Sequence, residues 1–396
     1  MTLSPCLPDG CLPDDPALTT PCLLLDEARM AGNIARFNRH LARQGLSARP
    51  HLKTCKSMAA AQRLLRTPSG PAAVSTLAEA EYFAARGVTD ICYAVGIVPD
   101  KLERVLALRR QGADLSVVLD DPVTAGLLDA AAKRLFAGTD TPLPVLLELD
   151  CDGHRSGLDP AGDELLAVAA AVQASPFLTL RGVMTHAGAA YARADTAHIA
   201  ALARQEGEAV LTAAERLRAA GLECPVRSVG STPTALLGEY PQGVTEVRAG
   251  VYPFMDLTMC GLGVCTTDEV ALSVLATVIG HRRQDGALVT DAGWMALAQD
   301  RGLDECFARW GFGLPCTLGG TTLPGLRVSE CNQEHGIISF RPGEAVPVPA
   351  LHERFPPGSR LRILPNHACA TAAQYDAYHV LRQGRITARW ERIRGW

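Results

Sequence analysis

The chain has no uninterrupted apolar run of membrane-spanning length, which excludes a helical transmembrane span. It has no basic run either, and its formal net charge is −4. Nucleic acid and anionic membranes are therefore not expected partners. Its 13 cysteines are odd in number and follow no repeating frame. That argues against a disulfide framework and for buried thiols in a reducing cytoplasm. The N-terminal stretch lacks a positive n-region and an apolar h-region, so no secretory leader is expected.

What remains is an ordinary soluble composition, 47% hydrophobic and 20% charged over 396 residues. Such a length buries a large core and favours more than one domain. Cys6 and Cys11 lie in near-duplicated Cys-Leu-Pro-Asp segments. Residues 1–20 read as an N-terminal arm, disordered or draped, and a metal site there has little support.

Short apolar segments alternate with helical ones from residue 22 onward. Residues 22–26 predict a strand, and 27–44 show helical spacing through Ala31, Ile34, Ala35, Phe37 and Leu41. Further strands are predicted at 47–52, 72–77, 90–95, 115–120, 145–150, 178–185, 225–230 and 246–251. Alanine-rich amphipathic segments separate them, at 78–87, 101–112, 123–136, 161–173 and 195–220 among others. Short apolar strands joined by helical crossovers make a parallel sheet buried on both faces. Eight such units match a closed (β/α)8 TIM-type barrel. An open doubly wound sheet is the competing architecture, because periodicity does not reveal closure. After residue 265 the pattern changes to strands between Gly, Pro and Asn turns, at 269–281, 286–291, 336–340, 345–348, 360–364, 377–382 and 385–391. The expected organisation is thus an α/β barrel over 21–265 and an all-β domain over 266–396, with strand 22–26 a candidate member of the β domain.

Catalytic groups of a parallel barrel lie at the C-terminal ends of its strands. Lys53 closes the first strand in Arg-Pro-His-Leu-Lys-Thr (49–54), where Pro50 forces Arg49 into extended backbone. A lysine there can enter a pocket, lose solvent and become a nucleophilic amine able to form a Schiff base. The competing reading is a solvated loop lysine. Gly230, Ser231 and Thr232 follow the seventh strand, where a glycine and hydroxyls before a helix can cradle a phosphate. A plain helix cap accounts for them equally well. Together with Lys53 they point to pyridoxal 5′-phosphate. Arg155, in Asp-Gly-His-Arg-Ser-Gly (152–157), could face the cofactor ring or make a surface ion pair. His186, at the end of the sixth strand, and Tyr191 beyond it could bind substrate or move protons, although a lone strand-end histidine is more often structural. Gly250 and Tyr252, around the end of the eighth strand, complete the candidate cofactor contacts. Downstream, His367 and Cys369 stand two residues apart. In extended backbone they would point to one side and could share a metal ion. Zinc suits a mixed nitrogen–sulfur pair, with manganese, cobalt or magnesium as alternatives. Trp294 and His335 are further pocket candidates.

These segments, with Thr-His-Ala-Gly (185–188), Val-Gly-Ser-Thr-Pro-Thr (229–234), Glu-Val-Arg-Ala-Gly-Val-Tyr (246–252) and Pro-Asn-His-Ala-Cys (365–369), occur in order along the chain. The sequence resembles the D-serine dehydratase and D-threonine aldolase family, pyridoxal-phosphate enzymes of fold-type III, from about residue 19 to the C-terminus. The resemblance implies an alanine-racemase-like barrel carrying the cofactor, a C-terminal β domain and a homodimer. It assigns the cofactor lysine to Lys53 and the metal ligands to His367 and Cys369. Aldolases of the family tend to carry aspartate at the second ligand position and dehydratases cysteine, so Cys369 implies a dehydratase. The implied reaction is metal-assisted β-elimination on a small amino-acid substrate, with Lys53 as base and His186 as a second catalytic candidate. 3-Hydroxyaspartate would give oxaloacetate and ammonia, and D-serine would give pyruvate and ammonia. Retro-aldol cleavage is the near rival, and a non-catalytic pyridoxal-phosphate carrier is the rival of another class.

Overall fold

The computed structural model describes residues 10–135, 142–343 and 348–396. The chain divides into two compact units: the described residues up to Ala35 with Val251–Arg394, and Arg36–Gly250 with the last two residues.

The second unit is the expected parallel barrel. Its eight strands are Ala48–Pro50, Ala72–Val74, Asp90–Gly96, Asp114–Leu119, Leu143–Leu149, Leu178–Thr185, Val226–Val229 and Glu246–Ala249, each paired in parallel with its neighbours. The ring closes around the first strand. His51 N–H donates to the Ala249 carbonyl at 2.8 Å, and Leu52 N–H donates to the Ala73 carbonyl at 2.8 Å. That closure, which periodicity does not reveal, decides for a barrel over an open sheet. Leu143–Leu149 is buried at every position, as a parallel strand covered on both faces must be. Ala73, Cys92, Val118, Leu146 and Met184 form one apolar cluster of the core. The second strand stops at Val74, short of the expected 77, because Thr76 caps the next helix. Its hydroxyl accepts from Glu79 N–H, and helix Leu77–Ala84 begins there.

In the other unit, the long strand Leu272–His281 pairs antiparallel with Cys22–Asp26, Leu24 opposite Ser273, and with Arg360–Pro365, Val274 opposite Ile363. Cys22–Asp26 lies parallel to Ala377–Arg382 on its other side, so the first strand of the chain is central in this sheet. The long strand begins at Leu272 rather than 269. Glu269 and Thr266 form a reciprocal cap that turns residues Thr267–Glu269 into a short 3-10 helix. Strands Gly313–Cys316 and Leu326–Cys331 are not among the expected ones; both are short, the first beginning on Gly313 and containing Pro315, the second following Gly325. The strand expected at 345–348 falls on 344–347, outside the described residues, and Val348 opens a helix instead. From Gly10 onward the N-terminal arm is docked. Cys11 bridges Ile386 and packs with Leu18, Cys22, Leu24, Leu275 and Leu381. All described cysteines are free thiols. No helix among the described residues is long and apolar enough to cross a membrane.

Candidate active site

At the C-terminal mouth of the barrel, Lys53 follows the first strand in a turn that Gly250 makes possible. A Cβ at Gly250 would stand 3.1 Å from the His51 carbonyl and 3.1 Å from Thr54 Oγ1. The sequence admits either a desolvated lysine in a pocket or a solvated one in a loop. Lys53 is exposed at the mouth, with no hydrogen-bond or ion-pair partner among the described residues. Its charge still reaches the site: with burial as the main cause, Lys53 and Arg248 help hold His51 well below the usual imidazole range. His51 Nδ1 is buried without a partner among the described residues.

His186 sits at the end of the sixth strand with its Nδ1 2.8 Å from the Gly230 carbonyl. Only a ring N–H satisfies that oxygen, so Nδ1 carries the proton and Nε2 presents a lone pair. Burial lowers the His186 pKa to about 4. The Gly230 hydrogen bond opposes this, and Lys53, Arg248 and Arg155 reinforce it. Tyr191 lies beside it, ring centroids 6.2 Å apart. Gly230 has φ +134°, and a Cβ there would fall 2.1 Å from the Arg248 carbonyl oxygen. Only glycine fits that close approach. Ser231 is buried and caps helix Thr232–Leu237: its Oγ accepts from Thr234 N–H at 3.3 Å and lies 2.9 Å from Thr234 Oγ1. The capping function, one of the two readings left open, is therefore realised. Thr232 is buried in the first turn of that helix. Arg155 is largely exposed and pairs with the buried Glu148 at 2.9 Å.

The other unit holds the second constellation. His367 is extended, with φ −134° and ψ 111°, but Ala368–Ala372 is helical. The expectation that both side chains project from one extended strand is thus corrected. His367 and Cys369 meet because the first caps the helix and the second lies in its opening turn, and their side chains are in hydrogen-bond contact. His367 Nδ1 lies 2.5 Å from Asp300 Oδ2, leaving Nε2 for another partner. Asp256 steadies the turn, accepting from Ala368 N–H and Met259 N–H at 2.9 Å each. No group of three or more His, Cys, Asp and Glu side chains among the described residues forms a metal cage. Tyr252 is buried in this unit. The Trp294 N–H donates to the Asn332 carbonyl at 3.0 Å, packing that segment on the turn that carries His335.

Residues 25–258 match the family model of the alanine racemase N-terminal domain, and residues 271–381 match that of a serine dehydratase domain. The chain is 46% identical to D-threo-3-hydroxyaspartate dehydratase of Delftia sp. (strain HT23), over 96% of this chain and 98% of that protein. The chain belongs to the D-serine dehydratase and D-threonine aldolase family. It is also 29% identical to the D-serine dehydratase of Dictyostelium discoideum, over 92% of this chain and 93% of that one. A solved structure of a D-threo-3-hydroxyaspartate dehydratase variant in its metal-free form superposes with TM-score 0.91 at 45% identity, covering 97% of this chain and 100% of that chain.

The family's cofactor and metal can be tested against the residues present. An amine without a partner among the described residues and the orphaned His51 Nδ1 suit a phosphate-bearing aldehyde at the barrel mouth. An imidazole with one nitrogen held by a carboxylate, touching a thiol, suits a divalent metal completed by water or substrate.

Sequence reasoning passed over three groups that the fold brings into play. Arg248 is 4% exposed; it donates to Ser228 Oγ at 2.5 Å and the Thr185 carbonyl at 2.6 Å. An arginine inside an apolar strand was the available signal. Glu206 lies on the apolar stripe of helix Thr196–Ala219, among Leu202, Ala203, Ala209 and Val210. A carboxylate at a core position was likewise visible. Asp300 gave no signal, since it joins His367 from 67 residues away.

Proposed function

We propose that this protein is a pyridoxal-phosphate- and divalent-metal-dependent dehydratase of D-3-hydroxy amino acids. 3-Hydroxyaspartate gives oxaloacetate and ammonia, and D-serine gives pyruvate and ammonia. The observation that carries the reading is the 46% identity to D-threo-3-hydroxyaspartate dehydratase along nearly the whole of both chains. Cys369, where the family's aldolases tend to have aspartate, supports elimination over retro-aldol cleavage.

Lys53 Nζ would hold the cofactor, and the same amine would take the α-proton of the substrate. Gly230, Ser231, Thr232 and Gly250 would hold the phosphate end of the cofactor. His186 contributes its neutral ring, with Nε2 as an acceptor, and Tyr191 packs beside it. Arg155 contributes positive charge while paired with Glu148. When bound, pyridoxal phosphate supplies the electron sink for the α-carbanion. His367 Nε2 and Cys369 Sγ would hold the metal, zinc by donor chemistry, with Asp300 orienting the imidazole. That ion supplies a Lewis acid for the departing β-hydroxyl. Water is eliminated, and the resulting imine consumes one water to release ammonia and the 2-oxo acid. The protein works as a soluble homodimer in the cytoplasm.

The test is a product assay. D-Serine and the 3-hydroxyaspartate isomers are incubated with the protein, with and without chelator. Ammonia and 2-oxo acid in equal amounts, suppressed by chelator, are expected. Glycine plus an aldehyde would instead make the protein an aldolase, and no turnover of any of them would leave a carrier. Lys53→Ala should abolish the visible absorption band of the bound cofactor.

A further inference from the structure

Glu206 is completely buried in the middle of helix Thr196–Ala219, and the reaction above gives it no task. Its Oε1 accepts from two backbone N–H groups, Ala187 at 2.7 Å and Gly230 at 3.3 Å. Its Oε2 accepts from the Tyr240 hydroxyl at 3.2 Å. Ala187 directly follows His186 at the end of the sixth strand, and Gly230 follows the seventh. The His186 ring returns to the Gly230 carbonyl at 2.8 Å. The result is a closed ring of hydrogen bonds, His186–Ala187 to Glu206 to Gly230 and back to His186, tying together two neighbouring strand ends. A buried carboxylate on an apolar stripe is unfavourable unless its oxygens are satisfied, and here the Ala187 and Gly230 amides satisfy Oε1 and the Tyr240 hydroxyl satisfies Oε2.

We propose that Glu206 is a positioning residue, the buried clamp that fixes the Gly230 loop and the His186 turn for the cofactor. This rests on the reading of the barrel mouth as a pyridoxal-phosphate site. Ionised, the carboxylate accepts both amides strongly, because hydrogen bonds to a charged acceptor are the stronger kind. Protonated, it is a weaker acceptor with a proton of its own to place. Burial raises its pKa to about 7, opposed by the Ala187 amide, Thr234, Arg248 and Tyr240. The titratable and charged groups that face it are Tyr240, Arg248 from the eighth strand and Cys151 beyond the fifth, whose thiol burial pushes up to about 12 with Glu206 adding to the shift. The clamp therefore loosens as pH falls through neutrality.

The test measures affinity for pyridoxal phosphate through the visible band of the bound cofactor, between about pH 6 and pH 8.5, in wild type, Glu206→Ala and Glu206→Gln. Wild-type affinity should fall on acidification. Glu206→Ala should bind about tenfold more weakly at the alkaline end, as expected for loss of one hydrogen bond to a charged group. Glu206→Gln keeps an oxygen for both amides and turns its amide toward Tyr240, whose hydroxyl can then donate to Thr234 Oγ1, 3.2 Å away. It should restore alkaline affinity and lose the wild-type pH step. Wild-type-like binding in Glu206→Ala overturns the proposal. So does a pH step retained in Glu206→Gln, or an affinity that rises on acidification. If Glu206→Ala does not fold, the Glu206→Gln profile alone decides. A wild-type protein that binds no pyridoxal phosphate at any pH defeats the underlying reading instead.

Discussion

Replacing Gly230 by alanine gives a perturbation whose size can be worked from the coordinates. At φ +134° a side chain is strained, and the added Cβ would lie 2.1 Å from the Arg248 carbonyl oxygen and 2.7 Å from the Arg248 nitrogen. Both are backbone atoms of the eighth strand, so no rotamer relieves the contact. The sparsely populated φ costs about 1–3 kcal/mol. Displacing the loop also weakens the Gly230 hydrogen bonds to His186 and Glu206, about 1 kcal/mol each. The sum is about 3–5 kcal/mol, a fall in Tm on the order of 10 °C for a unit of this size. Gly221→Ala is the matched control. Its φ is +80°, yet nothing lies within 4 Å of the added Cβ, so it bears only the conformational cost, about 1–2 kcal/mol. Thermal unfolding followed by circular dichroism compares the two, and a cofactor titration follows on each folded variant. Gly230→Ala should be clearly less stable than Gly221→Ala and should lose cofactor affinity. Equal melting temperatures would refute the claim that the close approach to Arg248, rather than backbone conformation alone, requires glycine.

Other outcomes follow from the same geometry. His367→Ala and Cys369→Ser should each abolish stoichiometric metal binding in equilibrium dialysis and suppress turnover, while the visible cofactor band persists; loss of that band in Cys369→Ser would contradict the division of labour. The His186 ring should remain neutral down to about pH 4, so its NMR resonance should be flat from alkaline pH to about pH 5, and a midpoint near the ordinary value of about 6.5 would contradict its burial. A folded pKa below the unfolded one means that the unfolded chain binds more protons on acidification, so His186 and His51 withdraw stability as pH falls from about 6.5 toward 4. Glu206, raised from 4.5 to about 7, acts oppositely and withdraws stability as pH rises across that interval. The two trends partly cancel in a global melt, which makes the single-residue titration the decisive measurement. Arg248→Met removes a cation that helps keep His186 neutral, so the His186 midpoint should move upward; an unmoved midpoint would mean that the Arg248 charge does not act on the ring.

The barrel was legible because a parallel strand buried on both faces leaves a nearly continuous apolar run, as Leu143–Leu149 does apart from Glu148. Closure was not, because it depends on backbone hydrogen bonds that flank the first strand, His51 to Ala249 of the last strand and Leu52 to Ala73 of the next. In the candidate site, residue types at strand ends could be read, but their surroundings could not. Pro50 announces a strand end before Lys53, but the segment leaves both a desolvated and a solvated amine open. The His367–Cys369 argument assumed extended backbone, and a helix beginning at Ala368 replaced it. The pair still meets because His367 occupies the N-cap position and Cys369 the first turn of the helix that follows, their side chains in hydrogen-bond contact. What fixes that turn is Asp256, whose carboxylate accepts the Ala368 amide across 112 residues.

Glu206 sharpens the distinction. A carboxylate among Leu202, Ala203 and Val210 breaks the helix's apolar pattern, so the sequence marks the position as exceptional without saying why. The reason lies in the partners, and these are peptide groups of Ala187 and Gly230. A backbone N–H has no signature in a sequence, since every residue but proline carries one. Side chains that act on other side chains leave paired residue types to be found. Side chains that act on the backbone leave only one anomalous residue, and its meaning emerges when the topology brings the strand ends to it.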